Sequence, residues 1–390
     1  MSSDINYIED FNYFWQTIND DYCYFDKKQT NWNKVKEIYS PLIEKVKSRE
    51  EFISILENVF DEIYDNHASL NTNTGNSPRL VPSGTDFMGE FIDDKPILVD
   101  IKREVWNSNP DLKTGMEIIV VNDVPIEETI KNYIGKSLKV IDDDAKNYAL
   151  NKVLAGRRGS KRKLILKLNG EVRSFLFDEY KTEDKKEMVE YNINDGVGYI
   201  KINNCLFDND VIKYFDEAME LMRNTKSVII DLRDTPSGGN TTVARAILGW
   251  FVSEDKFYQK HELTAEEIAT GIKRSWMEIV SPRKGKCYSK PTYVLAGRWT
   301  GSVGEGITIG FDAIKSGVII GTKLAGLCGA IYSFEMPDSK IRFSFPVEKL
   351  FHVNGTLREK FIPEVEFDFK RLSGNEDVIL NEAIKIINNK

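Results

Sequence analysis

The hydrophobic positions of the chain change their period twice. Up to about residue 78 they recur at helical spacing: Ile8, Phe11, Phe14, Trp15 and Ile18, then Val35, Ile38, Leu42 and Val46, then Phe52, Leu56, Val59, Phe60 and Ile63. Apolar residues three and four apart lie on one face of a helix, so this zone predicts amphipathic helices. The run Asn71 to Pro78, rich in Asn, Thr and Gly, predicts a turn-rich connector. From about 79 to 183 the apolar runs are short: Ile97–Val99, Ile118–Val121 and Leu164–Leu166. They predict strands. From about 184 to 390 strands alternate with helices. Val197–Ile202, Ser227–Leu232, Tyr293–Ala296 and Val318–Ile320 read as strands, with helices over Val211–Met222, from about Thr241 and from Ser302. That alternation predicts α/β structure with parallel crossovers. No internal repeat or low-complexity tract interrupts it.

Composition narrows the class. At 390 residues the chain exceeds one comfortable core, which predicts a multidomain protein divided as 1–78, 79–183 and 184–390. Hydrophobic residues at 41% and charged residues at 29% are ordinary for a soluble globular protein. A net charge of -8 with no basic stretch disfavours a nucleic-acid partner. No apolar run is long enough for a membrane span, and MSSDINYIEDF has neither a basic nor an apolar leader segment. Cytoplasmic location is the expectation, and an exported form with a trimmed leader would read the same way. Cys23, Cys205, Cys287 and Cys328 are scattered and are expected to be free, mostly buried thiols. With three histidines and no HExxH or cysteine cluster, no zinc site is expected.

Candidate chemistry gathers at two strand-to-helix turns. In YVLAGRWTGSVGEGITIG (293–310) a strand ends at a glycine, and a short turn carries Thr300, Gly301 and Ser302 into a helix. Active sites of α/β folds lie where strands give way to helices. A serine there has its hydroxyl at a helix N-terminus, which favours a developing oxyanion. The same residues fit an ordinary capping box between Ser302 and Glu305, and spacing alone leaves both readings open. Upstream, VIIDLRDTPSGGN (228–240) forms the second turn.

Together these segments resemble the tail-specific, or C-terminal processing, serine peptidases. GRWTGSVGEG is similar to the family's "xxTASAAE" nucleophile turn, with Thr300, Ser302 and Glu305 in register. DLRDTPSGG resembles its "DLRxNxGG", with a turn one residue longer. The resemblance implies Ser302 as nucleophile, Glu305 as capping partner, and an oxyanion hole from the Val303 amide with that of Gly238 or Gly239. Many members use a lysine base in "TxGKG", but here GTKLAGLCG (321–329) puts Leu327 in that position, with Lys323 out of register. A leucine cannot accept a proton. The tricorn-core branch uses histidine and glutamate instead. His67 in DNHAS (65–69) is placed like that histidine, with Asn66 as an orienter where the branch has serine. Glu359, before Phe361–Glu364, resembles the branch's glutamate, two residues tighter than usual. It would orient the base and stabilise the imidazolium.

His352 is the second-ranked base, in a strand leading into the Asn354–Gly355 turn. His261, in KHELTAEE, is expected to be solvated on an exposed helix. LKTGMEIIVVNDVPIEE (112–128) resembles part of a PDZ-type domain, "lxxGDxIlxInGxxv", with Met116 for the usual Asp. Such domains take extended C-termini by strand addition. The resemblance thus implies an N-terminal helical region, a PDZ-like domain and a crotonase-like catalytic α/β core. It implies hydrolysis of a peptide or protein substrate with no metal or other cofactor. The rival reading is a non-proteolytic binding protein on the same scaffold, for a small apolar ligand or a peptide C-terminus. Oligomeric state is not legible.

Overall fold

A computed structural model describes residues 5–178, 186–372, 374 and 376–389. The residues group into two compact units: 1–181 with 263–274 and 330–349, and 182–262 with 275–329 and 350–390. The protein is a mixed α/β structure.

The first unit opens with three helices, Tyr7–Asp21, Trp32–Ile43 and Arg49–Asp61. Each starts where a side chain takes an otherwise orphaned amide: Asn6 accepts from Glu9, Asn31 from Lys34 and Ser48 from Glu51. Of their expected apolar stripes, Ile8 and Leu42 are exposed, Ile38 and Val46 are half-buried, and the rest are buried. Phe14 packs edge-on to Phe343 at 4.8 Å, in the strand Arg342–Phe351. That strand pairs antiparallel with Ser69–Leu70 and with Ala330–Glu335.

Residues 87–177 build an antiparallel sheet in the order Phe87–Ile92, Lys95–Ile101, Glu117–Val121, Arg162–Leu168, Glu171–Phe177. Asn122 and Asp123, with φ of 49° and 64°, form the tight turn that folds Val124–Pro125 back on Glu117–Val121. Two left-handed residues are what a type I′ hairpin requires. The helix Asp143–Ala155 lies against the edge strand Phe87–Ile92. Its Asn151 accepts from the Gly89 amide and donates to the Gly89 carbonyl, both at 2.9 Å. Asn147 accepts from the Phe91 amide at 2.7 Å.

The second unit is layered on a six-stranded sheet. Val197–Ile202, Ser227–Asp231, Thr292–Ala296, Val318–Gly321 and Val365–Glu366 run parallel in that order, and Val189–Asn194 pairs antiparallel on the outside of Val197–Ile202. Alternate residues face opposite layers. Val228, Ile230, Val294 and Ile319 pack under helices that carry Phe215, Ile247, Ile307 and Phe311. Ile229, Tyr293, Leu295 and Ile320 pack against Ile379, Ala383 and Ile387 of the C-terminal helix Val378–Asn388. Strands covered on both faces must be apolar throughout, which is why they read as unbroken hydrophobic runs. A separate hairpin pairs Lys256–Leu263 with Ser275–Val280.

That hairpin corrects one expectation. His261 lies in a strand, not on a helix, and it is 7% exposed. Its ring stacks on Trp276, and its Nε2 is 3.1 Å from Glu278 Oε2. The charged composition of KHELTAEE suits a helix, but the helix begins only at Thr264, and cross-strand pairing with Trp276 decides the conformation of His261. Among the described residues the four cysteines form no disulfide, but only Cys23 and Cys205 are buried; Cys287 is exposed. Among the described residues, no helix is long and apolar enough to cross a membrane. None of their His, Cys, Asp and Glu side chains group to hold a metal ion.

Candidate active site

The two turns singled out in the sequence follow neighbouring strands, because Val228 to Asp231 pair in register with Thr292 to Leu295. Beyond the strand ends the turns are tied to each other. Thr235 and Trp299 bond through Thr235 N to Trp299 O at 3.0 Å, and Gly301 N donates to Thr235 O at 3.2 Å. The hydroxyls of Thr235 and Thr300 both donate to the Leu232 carbonyl at 2.9 Å. The turns therefore form one rigid block.

Ser302 is the N-cap of the helix Val303–Ala313, with φ 52° and ψ -110°. A non-glycine residue in this region costs on the order of 1–3 kcal/mol and persists only where its surroundings impose it. A serine on a sharp strand-to-helix turn is the geometry of a nucleophile elbow. The Val303 amide opens the helix and makes no hydrogen bond among the described residues.

Gly238, with φ 66°, sits directly before this serine. A Cβ there would lie 2.4 Å from Ser302 Cβ, 2.9 Å from Ser302 Oγ and 3.2 Å from Val303 N. The two turns can approach this closely only because residue 238 has no side chain. Gly238 N donates to Thr235 O at 3.3 Å, whereas the Gly239 amide makes no hydrogen bond among the described residues. Gly239 packs against the Leu206 carbonyl, which a Cβ would approach to 2.0 Å.

Glu305 is fully buried. Its carboxylate accepts from the Ser302 amide at 2.7 Å and from the Gly326 amide at 3.0 Å. Burial pushes this carboxyl up to about 7, against the pull of Arg358 and the two amides, and the charge of Glu359 adds to the rise. Glu359 lies in the short turn Arg358–Lys360 and is half-buried. The second unit therefore gathers Ser302, Val303, Gly238, Gly239, Glu305 and Glu359 around one turn.

The other candidates separate by position. Leu327 is buried, with Cδ1 3.2 Å from where a Cβ of Gly301 would stand. It fills the space beside the serine turn with hydrocarbon. Lys323 is exposed. His352 is 2% exposed. Its Nδ1 accepts from Asn354 N at 3.1 Å, and its Nε2 lies 2.9 Å from Asp312 Oδ2. Asp312 is near the far end of the serine's helix, roughly 15 Å along the axis from Ser302 at ~1.5 Å per residue.

His67 belongs to the first unit, between the helix Arg49–Asp61 and the strand Ser69–Leu70, and is 8% exposed. Its amide donates to Asp65 Oδ1 at 2.9 Å, and Asp65 Oδ2 accepts from the Tyr22 hydroxyl at 2.8 Å. Asn66 is half-buried, and its Oδ1 has no hydrogen-bond partner among the described residues.

Arg358 escaped sequence reading. In LREKF it looks like one solvated charge among three, yet it is 2% exposed and its Nη2 is 4.0 Å from Glu305 Oε2. No periodicity marks it, because a short irregular turn buries it.

Comparison with known proteins places the fold. Residues 6–61 match the tricorn protease C1 domain, and residues 196–368 match peptidase family S41. At the level of sequence alone, no curated protein matches the chain. Mature CPAF is similar in structure at 14% identity, with a TM-score of 0.65 over 97% of this chain and 95% of that one. The photosystem II D1 C-terminal processing protease is similar at 14% identity, with a TM-score of 0.58 over 95% of each. These likenesses speak for the fold, and the two domain matches, in order along one chain, speak for the lineage. Over residues 196–368 the chain is similar to peptidase family S41, the tail-specific serine peptidases, with a tricorn C1 match ahead of it.

Proposed function

We propose that the protein cleaves peptide bonds through an acyl-enzyme on Ser302, with His67 as general base and Glu359 orienting it. One observation carries this reading: Ser302 is held in a strained elbow, closely approached by Gly238, beside a Val303 amide with no hydrogen bond among the described residues. Ser302 Oγ attacks the scissile carbonyl carbon while His67 takes its proton. The carbonyl oxygen becomes an oxyanion and is met by the Val303 amide. The second donor is the amide of Gly239 or Gly238. The uncommitted N–H of Gly239 favours Gly239. Collapse of the intermediate passes the proton from His67 to the leaving amine. Water then attacks the acyl carbon as His67 takes its proton, and collapse of that second intermediate breaks the bond to Ser302 Oγ, to which His67 returns the proton. Asn66 stands beside the base as a second orienter.

The choice of base rests on what the alternatives are doing. Leu327 occupies the lysine position, His352 is engaged near the far end of the helix, and His261 is held between Trp276 and Glu278. Residues 79–183 we read as PDZ-like, supported by the antiparallel sheet, its type I′ turn and the helix along its edge.

The test is hydrolysis of fluorescein-labelled casein together with fluorophosphonate labelling. Ser302→Ala should abolish labelling and lower turnover on the order of a million-fold. His67→Ala should cost orders of magnitude in kcat, while His352→Ala and Lys323→Ala stay close to the parent. Near-normal turnover in His67→Ala, with loss in either of the others, would overturn the assignment of the base.

A further inference from the structure

We propose that Arg358 is a positioning residue for the nucleophile: it keeps Glu305 able to hold the Ser302 amide, and it fixes the loop 326–329 beside it. The inference rests on Ser302 being the nucleophile.

The two buried charged residues bond to the same loop. Glu305 accepts from Gly326 N at 3.0 Å, while Arg358 Nη2 donates to Leu327 O at 3.0 Å and to Gly329 O at 2.7 Å. The guanidinium also lies 4.0 Å from the carboxylate oxygen that receives the Ser302 amide. Arg358 is 2% exposed and Glu305 is not exposed at all, so water screens neither charge.

Holding two amides at once is done best by a carboxylate. An ionised carboxylate is acceptor-only and serves both strongly, whereas protonation leaves the oxygen that carries the proton a much weaker acceptor. Burial works against the ionised form, as does the negative charge of Glu359. Arg358 is the main opposing influence, ahead of the amides of Ser302 and Gly326. Because the balance lies near neutrality, the conformation of Ser302 is coupled to pH through a residue that need not touch the substrate.

The experiment compares the intact enzyme with Arg358→Met, Arg358→Lys, Glu305→Gln and Arg358→Met/Glu305→Gln. It measures kcat/KM on a fluorogenic peptide and the fluorophosphonate labelling rate, across acidic to alkaline pH. Losing an opposite charge at this range ordinarily raises a carboxyl pKa by about 1–3. Arg358→Met should therefore move the acid limb to higher pH, lower activity and labelling at neutral pH about ten-fold or more, and recover much of both in alkali. Arg358→Lys should keep a limb close to the parent's. In the Glu305→Gln background the limb should no longer respond to residue 358, since only the base then titrates.

A loss that is equal at all pH values would overturn the proposal, as would an alkaline shift that persists in the double variant. If Arg358→Met does not fold, the Arg358→Lys profile decides: a limb moved as though the charge were absent refutes the proposal. A parent enzyme that is not labelled at Ser302 would overturn the nucleophile assignment and this inference together. Labelled parent and variant with identical profiles would overturn this inference alone.

Discussion

Gly238→Ala tests the geometry of the serine turn most directly. The added methyl would stand 2.4 Å from Ser302 Cβ, where carbon atoms normally approach no closer than ~3.5 Å. Ser302 cannot simply retreat, because its amide is held by Glu305 and its turn is bonded to the Thr235 turn. Backbone and packing costs add. At φ 66° an alanine pays about 1–2 kcal/mol, and forced overpacking typically adds about 1–3 kcal/mol. The total of roughly 2–5 kcal/mol should lower Tm by roughly 5–15 °C. Activity should fall further than stability predicts, because the methyl occupies the space 2.9 Å from the hydroxyl and 3.2 Å from the Val303 amide. Loss of one oxyanion contact alone costs about 10²–10³ in kcat. The assays are thermal unfolding, and kcat and KM on a fluorogenic peptide below the transition. Gly285→Ala is the control: φ is 75° but nothing lies within 4 Å of the added methyl, so it should pay the backbone cost alone and keep full activity. A folded Gly238→Ala enzyme with parental kcat would refute the reasoning, as would equal losses in both variants.

Two further substitutions probe the scaffold. Asn151→Ala removes the side chain that serves both backbone groups of Gly89, and leaving a buried group unpaired costs about 1–3 kcal/mol. Amide hydrogen exchange across Phe87–Ile92 should speed up, and unchanged protection there would count against the role given to the asparagine. Arg233 pairs with Asp231 and with Asp377, which caps the C-terminal helix. Arg233→Met leaves the 2%-exposed Asp231 side chain with its charge uncompensated, so urea unfolding should show a loss of about 3–5 kcal/mol. A midpoint within error of the parent would contradict it.

Much of this protein is written locally. The runs Val228–Ile230, Tyr293–Ala296 and Val318–Ile320 announce strands buried on both faces, and they pair as parallel neighbours. The Ser302 turn is legible because a strand, a glycine-bearing turn and a helix start are contiguous in the chain. The resemblance to a peptidase nucleophile turn is carried within ten residues, GRWTGSVGEG. What the sequence does not express is contact between distant residues. Ser302–Glu305 reads as an ordinary capping box, and only the fold sets Ser302 at φ 52° with Glu305 buried beneath it. Gly238 reads as turn punctuation, and only the docking of two turns makes its missing side chain a condition for the close approach to Ser302. His261 reads as helical until Trp276 pairs with it, and Arg358 reads as solvated until the loop 326–329 closes over it. Periodicity records which side of an element faces a core. Burial of a charge, strain at one residue and closeness across a turn depend on which elements meet, and that is settled only when the chain has folded.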